Sequence, residues 1–343
     1  MKNQLVVVTG GSGFIASHII IQLLQQGYRV RTTVRSSKKI DLVKKLLTQG
    51  GITDFSNLSF AKADLTSDKN WENVMKGATY AIHPASPTPT LNFKNEDEMI
   101  KPAVNGVLRV LRSARDQGVK RVVLTSAYGA IFAGHKNRTT PYTEEDWSNL
   151  EAKNIHPYQK SKTLSEHAAW NFIKTEGNGL ELSVVNPVGV MGPVLASDYS
   201  HSNIQIQQLL EGKIKAVPNV DSGYVDVRDV ASLHLLAMTS SKANGERFLA
   251  TTGETLSMLD VANILREAFP KYASVLPTKV MPNFLIKLAS LFDPQLKMVA
   301  SLLGVYAETS NKKAVNVLDW HPRSAKDAII ATAQSMIDLG IVN

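Results

Sequence analysis

The sequence predicts an α/β fold: a doubly wound parallel sheet joined to a smaller, mostly helical C-terminal part that is discontinuous in the chain. Three observations carry this expectation. A run of β-branched residues within positions 4–9 reads as a strand buried on both faces. Strand-like and helix-like stretches then alternate through the first two-thirds of the chain, which is the rhythm of βαβ units. A glycine-rich turn, Gly10-Gly11-Ser12-Gly13, separates the first strand from the first helix.

The elements follow in order. Residues 14–26 have helical spacing through Ile15, Ile19, Leu23 and Leu24, and Gly27 is the expected stop. Residues 29–34 form a second strand, 38–49 a second helix, 58–63 a third strand and 80–83 part of a fourth. A helix at 98–117 ends at Gly118, strand 121–125 follows, and a helix at 158–174 leads into strand 180–186. Right-handed crossovers make such a sheet doubly wound. Beyond residue 189 the pattern loosens, and its Gly, Pro, Ser and Asn content suits loops that touch a substrate. Residues 223–227 read as one more strand and 229–238 as a helix rejoining the main body. The expected division is a large domain of residues 1–188, rejoined by 222–252, and a second part made of 189–221 and 253–343. Residues 284–303 are apolar but broken by Lys287, Asp293, Pro294 and Lys297. They read as amphipathic helices, a core-facing pair before a lid or partner surface.

Composition removes several classes of function. Of 343 residues, 43% are hydrophobic and 20% charged, which suffices for a large core. Cysteine is absent, which excludes disulfides, thiolate zinc sites and thiol nucleophiles and fits a reducing, cytoplasmic setting. The net charge is +8, but the longest basic runs are pairs such as Lys38-Lys39 and Lys312-Lys313, so no nucleic-acid partner is expected. No apolar run approaches a membrane span, and the N-terminal one is too short for a signal segment. The eight histidines lack metal-ligand spacing, so no metal is expected. His83, His156 and His234 read as structural, although His83 stands before Pro84 at a strand end that could approach a ligand.

From Gly10 the turn reads Gly-x-x-Gly-x-x-Ala, ending at Ala16. Gly10 permits the tight turn, Gly13 lets backbone approach a pyrophosphate, and Ala16 lets the helix pack on the strand. The helix N-terminus offers free N–H groups and a positive dipole end. Between a buried strand and an amphipathic helix, this is a Rossmann-type dinucleotide site. An NAD site wants an acidic residue about 20 positions further on. The stretch from Thr32 to Lys39 has none, and Arg35 suits a 2′-phosphate, with Lys38 or Lys39 adding a second charge. NADP(H) is therefore expected over NAD. Asp64-Leu65 ends the third strand where a carboxylate meets an adenine amine, although Asp also caps helices.

Tyr158 and Lys162 are four residues apart, on one face of the helix before strand 180–186. An ammonium beside a phenol favours the phenolate and lowers its pKa. Such a tyrosine hands a proton to a developing alkoxide. A surface i,i+4 pair is the bland alternative, but no other tyrosine of the nine has lysine at that spacing.

These stretches together resemble an extended short-chain dehydrogenase/reductase. Within that family the chain is similar to the dihydroflavonol reductase-like branch, which includes plant cinnamoyl reductases and fungal aldehyde/methylglyoxal reductases. The matching segments are VVVTGGSGFIASHI, VRTTVRSSKK, ADL, HPASP, PAVNGVLRVLRSA, VKRVVLTSAYGA, YQKSK, VVNPVGVMGP and YVDVRDVASLHLLAM, with Asp319-Trp320-His321-Pro322 near the end. The resemblance implies Tyr158 as proton donor and Lys162 as the residue that tunes it and binds the nicotinamide ribose. It implies Gly10, Gly11, Ser12, Gly13, Phe14 and Ile15 at the phosphates, Arg35 and Lys39 at the 2′-phosphate, and Asp64 and Leu65 at the adenine. Ala85, Ser86 and Thr125 would line the groove, and Pro187 and Val188 would cover the nicotinamide. Ser86, Tyr128, Met191 and Tyr224 are the candidate substrate contacts.

One departure stands out. The family reads Thr-Ser-Ser after the fifth strand and uses the second serine, whereas this chain reads Thr125-Ser126-Ala127-Tyr128. Ser126 is the expected replacement hydroxyl, although neighbours on a strand face opposite ways. Thr125, Tyr128 or a water are the other options. The expected activity is NADPH-dependent reduction of aldehyde or ketone carbonyls of small molecules, by a monomer or homodimer. The alternatives are a nucleotide-sugar epimerase or dehydratase holding NAD, which Arg35 opposes, and a non-catalytic NADP sensor, which Tyr158 and Lys162 oppose.

Overall fold

In chain order the first elements are β1 (Leu5–Val8), α1 (Phe14–Gln25), β2 (Arg29–Val34), α2 (Ile40–Gln49), β3 (Leu58–Lys62), α3 (Trp71–Met75) and β4 (Tyr80–His83). They are followed by α4 (Asp97–Asp116), β5 (Arg121–Thr125), α5 (Pro157–Glu176), β6 (Glu181–Pro187), β7 (Gly189–Met191), α6 (His201–Leu210), β8 (Asp221–Asp226) and α7 (Val227–Thr239). The rest are β9 (Arg247–Ala250), β10 (Thr255–Ser257), α8 (Met258–Ala268), α9 (Asn283–Ala289), α10 (Pro294–Leu302), α11 (Lys312–Leu318) and α12 (Ala325–Asp338). This computed structural model describes residues 3–86, 95–135, 138–153, 155–197, 201–292, 294–306 and 308–342.

Seven strands form one parallel sheet in the order β3-β2-β1-β4-β5-β6-β9. The order reverses between β1 and β4, and ligands of such sheets bind at the carboxyl ends of the strands beside that reversal. All four side chains of β1 are buried, so the β-branched run is covered on both sides. Val6 and Val8 join the apolar layer under α1, α2 and α7, while Leu5 and Val7 join the layer under α3, α4 and α5. Helix α1 stops as its sequence requires. Gly27 takes φ +79°, its N–H donates to Leu24 O, and the Tyr28 N–H donates to Leu23 O, a Schellman closure. Gly118 ends α4 in the same way, with φ +67°, its N–H donating to Arg115 O and the Val119 N–H to Ala114 O.

Two features depart from the sequence reading. The strand expected at 223–227 forms as β8 but lies in a second sheet of order β10-β8-β7, so the chain returns to the large body through α7 and β9. The edge strand β9 carries little strand signal, because Arg247, Phe248, Leu249 and Ala250 include no β-branched residue. A third apolar cluster, from α6, α8 and α12 with Met191 and Tyr224, forms the core of the smaller lobe.

In the apolar stretch after residue 283, α9 does not face the core as expected. Ile286 is 2% exposed, whereas Phe284, Leu288, Leu291 and Phe292 are 67%, 57%, 74% and 85% exposed. Among the described residues, Ile286 is the one buried side chain of α9, so one side of α9 is left bare. Among the described residues no helix is long and apolar enough to cross a membrane.

Candidate active site

The phosphate turn is built from β1, the start of α1 and the end of β2. Gly10 adopts φ +70°, and a Cβ there would come within 2.9 Å of the Ala85 Cβ. Its N–H donates to Thr33 Oγ1 at 2.8 Å, the Gly11 N–H donates to Thr33 O at 3.0 Å, and the Gly13 N–H donates to Gly10 O at 2.8 Å. A Cβ on Gly11 would collide with the Thr32 side chain, and one on Gly13 would lie 3.2 Å from Gly10 O. Gly13 is the exposed N-cap of α1 and carries no side chain to satisfy the first-turn N–H groups. Those N–H groups and the dipole end suit phosphate oxygens. Ser12, Phe14 and Ile15 stand half-buried around the turn, and Ala16 packs inward at 2% exposure.

At the far end of the groove, Arg35 is exposed just beyond β2, and Ser36 accepts from the Lys38 N–H to start a short turn that includes Lys39. Asp64 accepts from Thr66 N and Oγ1, both at 2.8 Å, and these bonds hold its carboxyl below the usual range, with smaller help from Arg35 and Arg109. Asp64 thus shapes its own turn, and Leu65 beside it packs on Gly106 of α4.

The other end is organised by α5. His156 caps this helix, its Nδ1 accepting from the Tyr158 N–H at 3.2 Å while Gln159 Oε1 accepts from the His156 N–H at 3.1 Å. With Pro157 at the first position, this capping box fixes Tyr158 in the opening turn. Lys162, one turn on, is 9% exposed, and its Nζ lies 5.9 Å from the centroid of the Tyr158 ring. Burial pushes the Lys162 ammonium down to about 8, opposed by Glu166. Burial also pushes the Tyr158 phenol up to about 12. The expected lowering of the phenol by Lys162 is absent here. The ammonium lies 5.9 Å from the ring centroid, and desolvation of the phenol prevails.

A narrow cavity lies beside Lys162, between the sheet and helices α4 and α5. Its lining includes Leu65, His83, Ala85, Ser86, Thr125, Ser126 and Lys162. Five expected site residues, Leu65, Ala85, Ser86, Thr125 and Ser126, and the α5 lysine therefore share one space at the carboxyl ends of β3, β4 and β5. Pro187 ends β6, and Val188 donates its N–H to Ala250 O at 3.2 Å, placing both at the same edge of the sheet.

Ser126 faces α5, and its hydroxyl proton already has a partner. Ser126 Oγ donates to Glu166 Oε2 at 2.5 Å, and Glu166 also accepts from Arg247 Nε at 2.6 Å and Asn186 Nδ2 at 2.8 Å. Glu166 is fully buried and Arg247 is 7% exposed. Donating to a substrate oxygen would require Ser126 to give up a charge-assisted bond. The Thr125 hydroxyl is bonded to His234 Nε2 at 2.7 Å, toward α7 on the other face. The Tyr128 ring stacks on Phe132 at 4.6 Å, and its buried hydroxyl has no partner among the described residues.

The substrate candidates are not brought together. Met191 is fully buried and Tyr224 is 3% exposed, both within the smaller lobe's core, so neither presents surface to a pocket. A loop-rich stretch gives no facing signal, and β7 has three residues. Ser86 is exposed at the cavity mouth. Sequence reasoning missed Glu166, although it falls four residues after Lys162 on the same helical face, and it missed Asn186, which sits directly before Pro187. Nothing local marked Arg247 or Thr9.

Comparison with known proteins places this geometry. Residues 6–250 match the family described as NAD dependent epimerase/dehydratase. The chain is 37% identical over 284 residues to cinnamoyl-CoA reductase 2 of Medicago truncatula, covering 81% of this chain and 80% of that protein. It is 32% identical over 292 residues to a putative NADPH-dependent methylglyoxal reductase of Candida albicans, covering 79% of this chain and 85% of that protein. Among solved structures, yeast methylglyoxal/isovaleraldehyde reductase complexed with NADPH superposes with a TM-score of 0.82 at 28% identity, covering 99% of this chain and all of that one.

Proposed function

The chain belongs to the NAD dependent epimerase/dehydratase family, and from that premise we propose that it reduces the carbonyl group of a small aldehyde or ketone, with Tyr158 protonating the oxygen. It is an oxidoreductase, and its cofactor is NADP(H), as for the reductases it resembles. The chain's own residues suit that cofactor. Gly10 and Gly13 clear backbone for a pyrophosphate, uncapped N–H groups begin α1, and Arg35 stands exposed where a 2′-phosphate would lie. An acidic residue at the end of β2, which the NAD-holding epimerase alternative wants, is missing.

The bound nicotinamide supplies a hydride to the carbonyl carbon. The remaining chemistry falls to side chains. Tyr158, raised to about 12, keeps its proton at neutral pH and holds it for the carbonyl oxygen. Lys162, near 8, is largely an ammonium at neutral pH and holds positive charge beside the tyrosine as that proton leaves. Pro187 and Val188 would border the ring, Asp64 and Leu65 the adenine, and Ala85, Ser86 and Thr125 the groove between. Ser126 orients the carboxylate of Glu166 under the pair, and a donor role toward substrate requires that bond to open.

The observation that carries this reading is the 9% exposed Lys162, one turn from Tyr158, in a cavity that also contains the groove residues Ala85 and Ser86. Tyr158→Phe is expected to lower NADPH oxidation by at least about 10²–10⁴-fold while fluorescence titration shows NADPH binding intact. Undiminished turnover in that variant, or no NADPH consumption by the parent across a panel of aldehydes and ketones, would overturn it.

A further inference from the structure

His83 has one ring nitrogen bonded to a neighbour and the other buried without a partner among the described residues. It ends β4 at 1% exposure, with Nδ1 2.7 Å from Thr9 Oγ1. The Thr9 hydroxyl oxygen also accepts from the Ala85 N–H at 3.3 Å. Thr9 is fully buried, and its hydroxyl shares one hydrogen bond with His83 Nδ1, whose donor is set by the tautomer of the ring. With the Thr9 hydroxyl as donor, the imidazole proton of the neutral ring sits on Nε2. That atom is buried and has no partner among the described residues. The ring lines the same cavity as Lys162, whose charge, after burial itself, holds His83 down to about 3.

The cavity measures about 10 Å³ for the centre of a water molecule, close to the minimum that holds one. It is polar enough for that occupant, since Ser126 and Ser165 line it with Lys162 and His83. A direct bond from Nε2–H to the ammonium is ruled out because both are donors. A water accepts from both.

We propose that His83 is a positioning residue for Lys162: its Nε2–H, fixed by Thr9, donates to a water in the cavity, and that water accepts from the Lys162 ammonium. The arrangement gives a buried cation an acceptor inside the protein and supports its charged form. It rests on the reading of Tyr158 and Lys162 as the reacting pair. The charged or titratable groups facing Lys162 among the described residues are Tyr158 and Glu166 on its own helix and His83 on β4. Arg247, on β9, is turned toward Glu166, and α4 and β5 present Ala103, Val107, Leu124, Thr125 and Ser126.

Two measurements on the NADPH-loaded protein decide this. In protein labelled with 15N-histidine, His83 is expected to be neutral with the proton on Nε2 throughout the neutral range. A proton on Nδ1, or titration near neutrality, overturns the proposal without any substitution. Turnover is then followed against pH in His83→Phe and His83→Gln. Loss of the donor is expected to move the alkaline limb of His83→Phe down by about one pH unit, the effect of one hydrogen bond to a charged group. His83→Gln, whose amide restores an N–H near Nε2, is expected to recover the parental limb. A lower melting temperature with an unmoved limb makes His83 merely structural, and equal shifts in both variants also overturn the proposal. If Tyr158→Phe keeps its turnover, the parent reading fails instead, and the tautomer measurement still stands on its own.

Discussion

Glu166→Gln tests the buried network beneath the reacting pair. In the parent, Oε1 accepts from Arg247 Nε at 2.6 Å and from Trp170 Nε1 at 3.4 Å, while Oε2 accepts from Ser126 at 2.5 Å and Asn186 at 2.8 Å. Glutamine keeps the shape but turns one oxygen into a donor. Whichever way the amide faces, two donors then meet an NH₂ group, and Arg247 loses its counter-charge. The ion-paired side chains are 8% and 0% exposed, so solvent offers little screening, and breaking such a pair costs about 3–5 kcal/mol. For a chain of this length the unfolding entropy is on the order of 0.7 kcal/mol/K, so Tm is expected to fall by roughly 4–7 °C. Differential scanning calorimetry reads this directly. Replacing both partners with apolar residues, Glu166→Leu with Arg247→Met, is expected to recover much of the loss, because no orphaned charge remains. A Tm within about 1 °C of the parent for Glu166→Gln, the range of a surface change, would refute the network.

Three further outcomes are expected. Arg35→Asp removes the cation at the end of β2 and should raise the Kd for NADPH by about tenfold to a hundredfold while improving NADH use; an unchanged cofactor ratio places the 2′-phosphate elsewhere. Gly10→Ala adds a Cβ at φ +70° and 2.9 Å from Ala85, so NADPH affinity and Tm should both drop, the backbone share alone being about 1–2 kcal/mol; wild-type values for both would mean the turn is not the phosphate site. His83, His18 and His234 are held by burial to about 3, 4 and 4 from 6.5. The unfolded chain therefore takes up protons below about pH 6.5 that the native chain refuses, and stability falls as pH drops from there toward 4, by several kcal/mol in order of magnitude. Tm measured from neutral pH downward should decline across that window, and a rise would contradict the assignment.

What the sequence made legible was local. The Gly10–Gly13 turn, the Gly27 and Gly118 stops and the Tyr158–Lys162 spacing each depend on residues within one or two turns, and each takes the expected form in the structure. The fold class followed, since alternating elements with right-handed crossovers leave few arrangements. What stayed hidden depends on distant partners. Arg247 lies 81 residues from Glu166 and Thr9 lies 74 from His83, so no local pattern marks either pair. Facing was equally hidden: Met191 and Tyr224 sit on short strands whose burial is set by α6, α8 and α12. The exposed face of α9 carries the same apolar composition as a core helix, and only the packing distinguishes the two.

The opposite displacements of the two reacting groups bear on direction. Burial disfavours the charged form of each, so the phenol climbs to about 12 while the ammonium sinks to about 8. At pH 7 both therefore carry their protons, which is the state that donates to a carbonyl oxygen. Alcohol oxidation needs the phenol to have lost its proton first, a state populated at about 10⁻⁵ at that pH. The kcat/KM for NADPH reports the uncombined chain, and it is expected to hold through neutrality and decline above about 8 as Lys162 loses its charge. The kcat/KM for NADP⁺ with an alcohol is expected to rise over the same interval. Stopped-flow or steady-state profiles in both directions test this, and an oxidation rate that is flat with pH and exceeds reduction at pH 7 would mean that Tyr158 is not the group exchanging the proton.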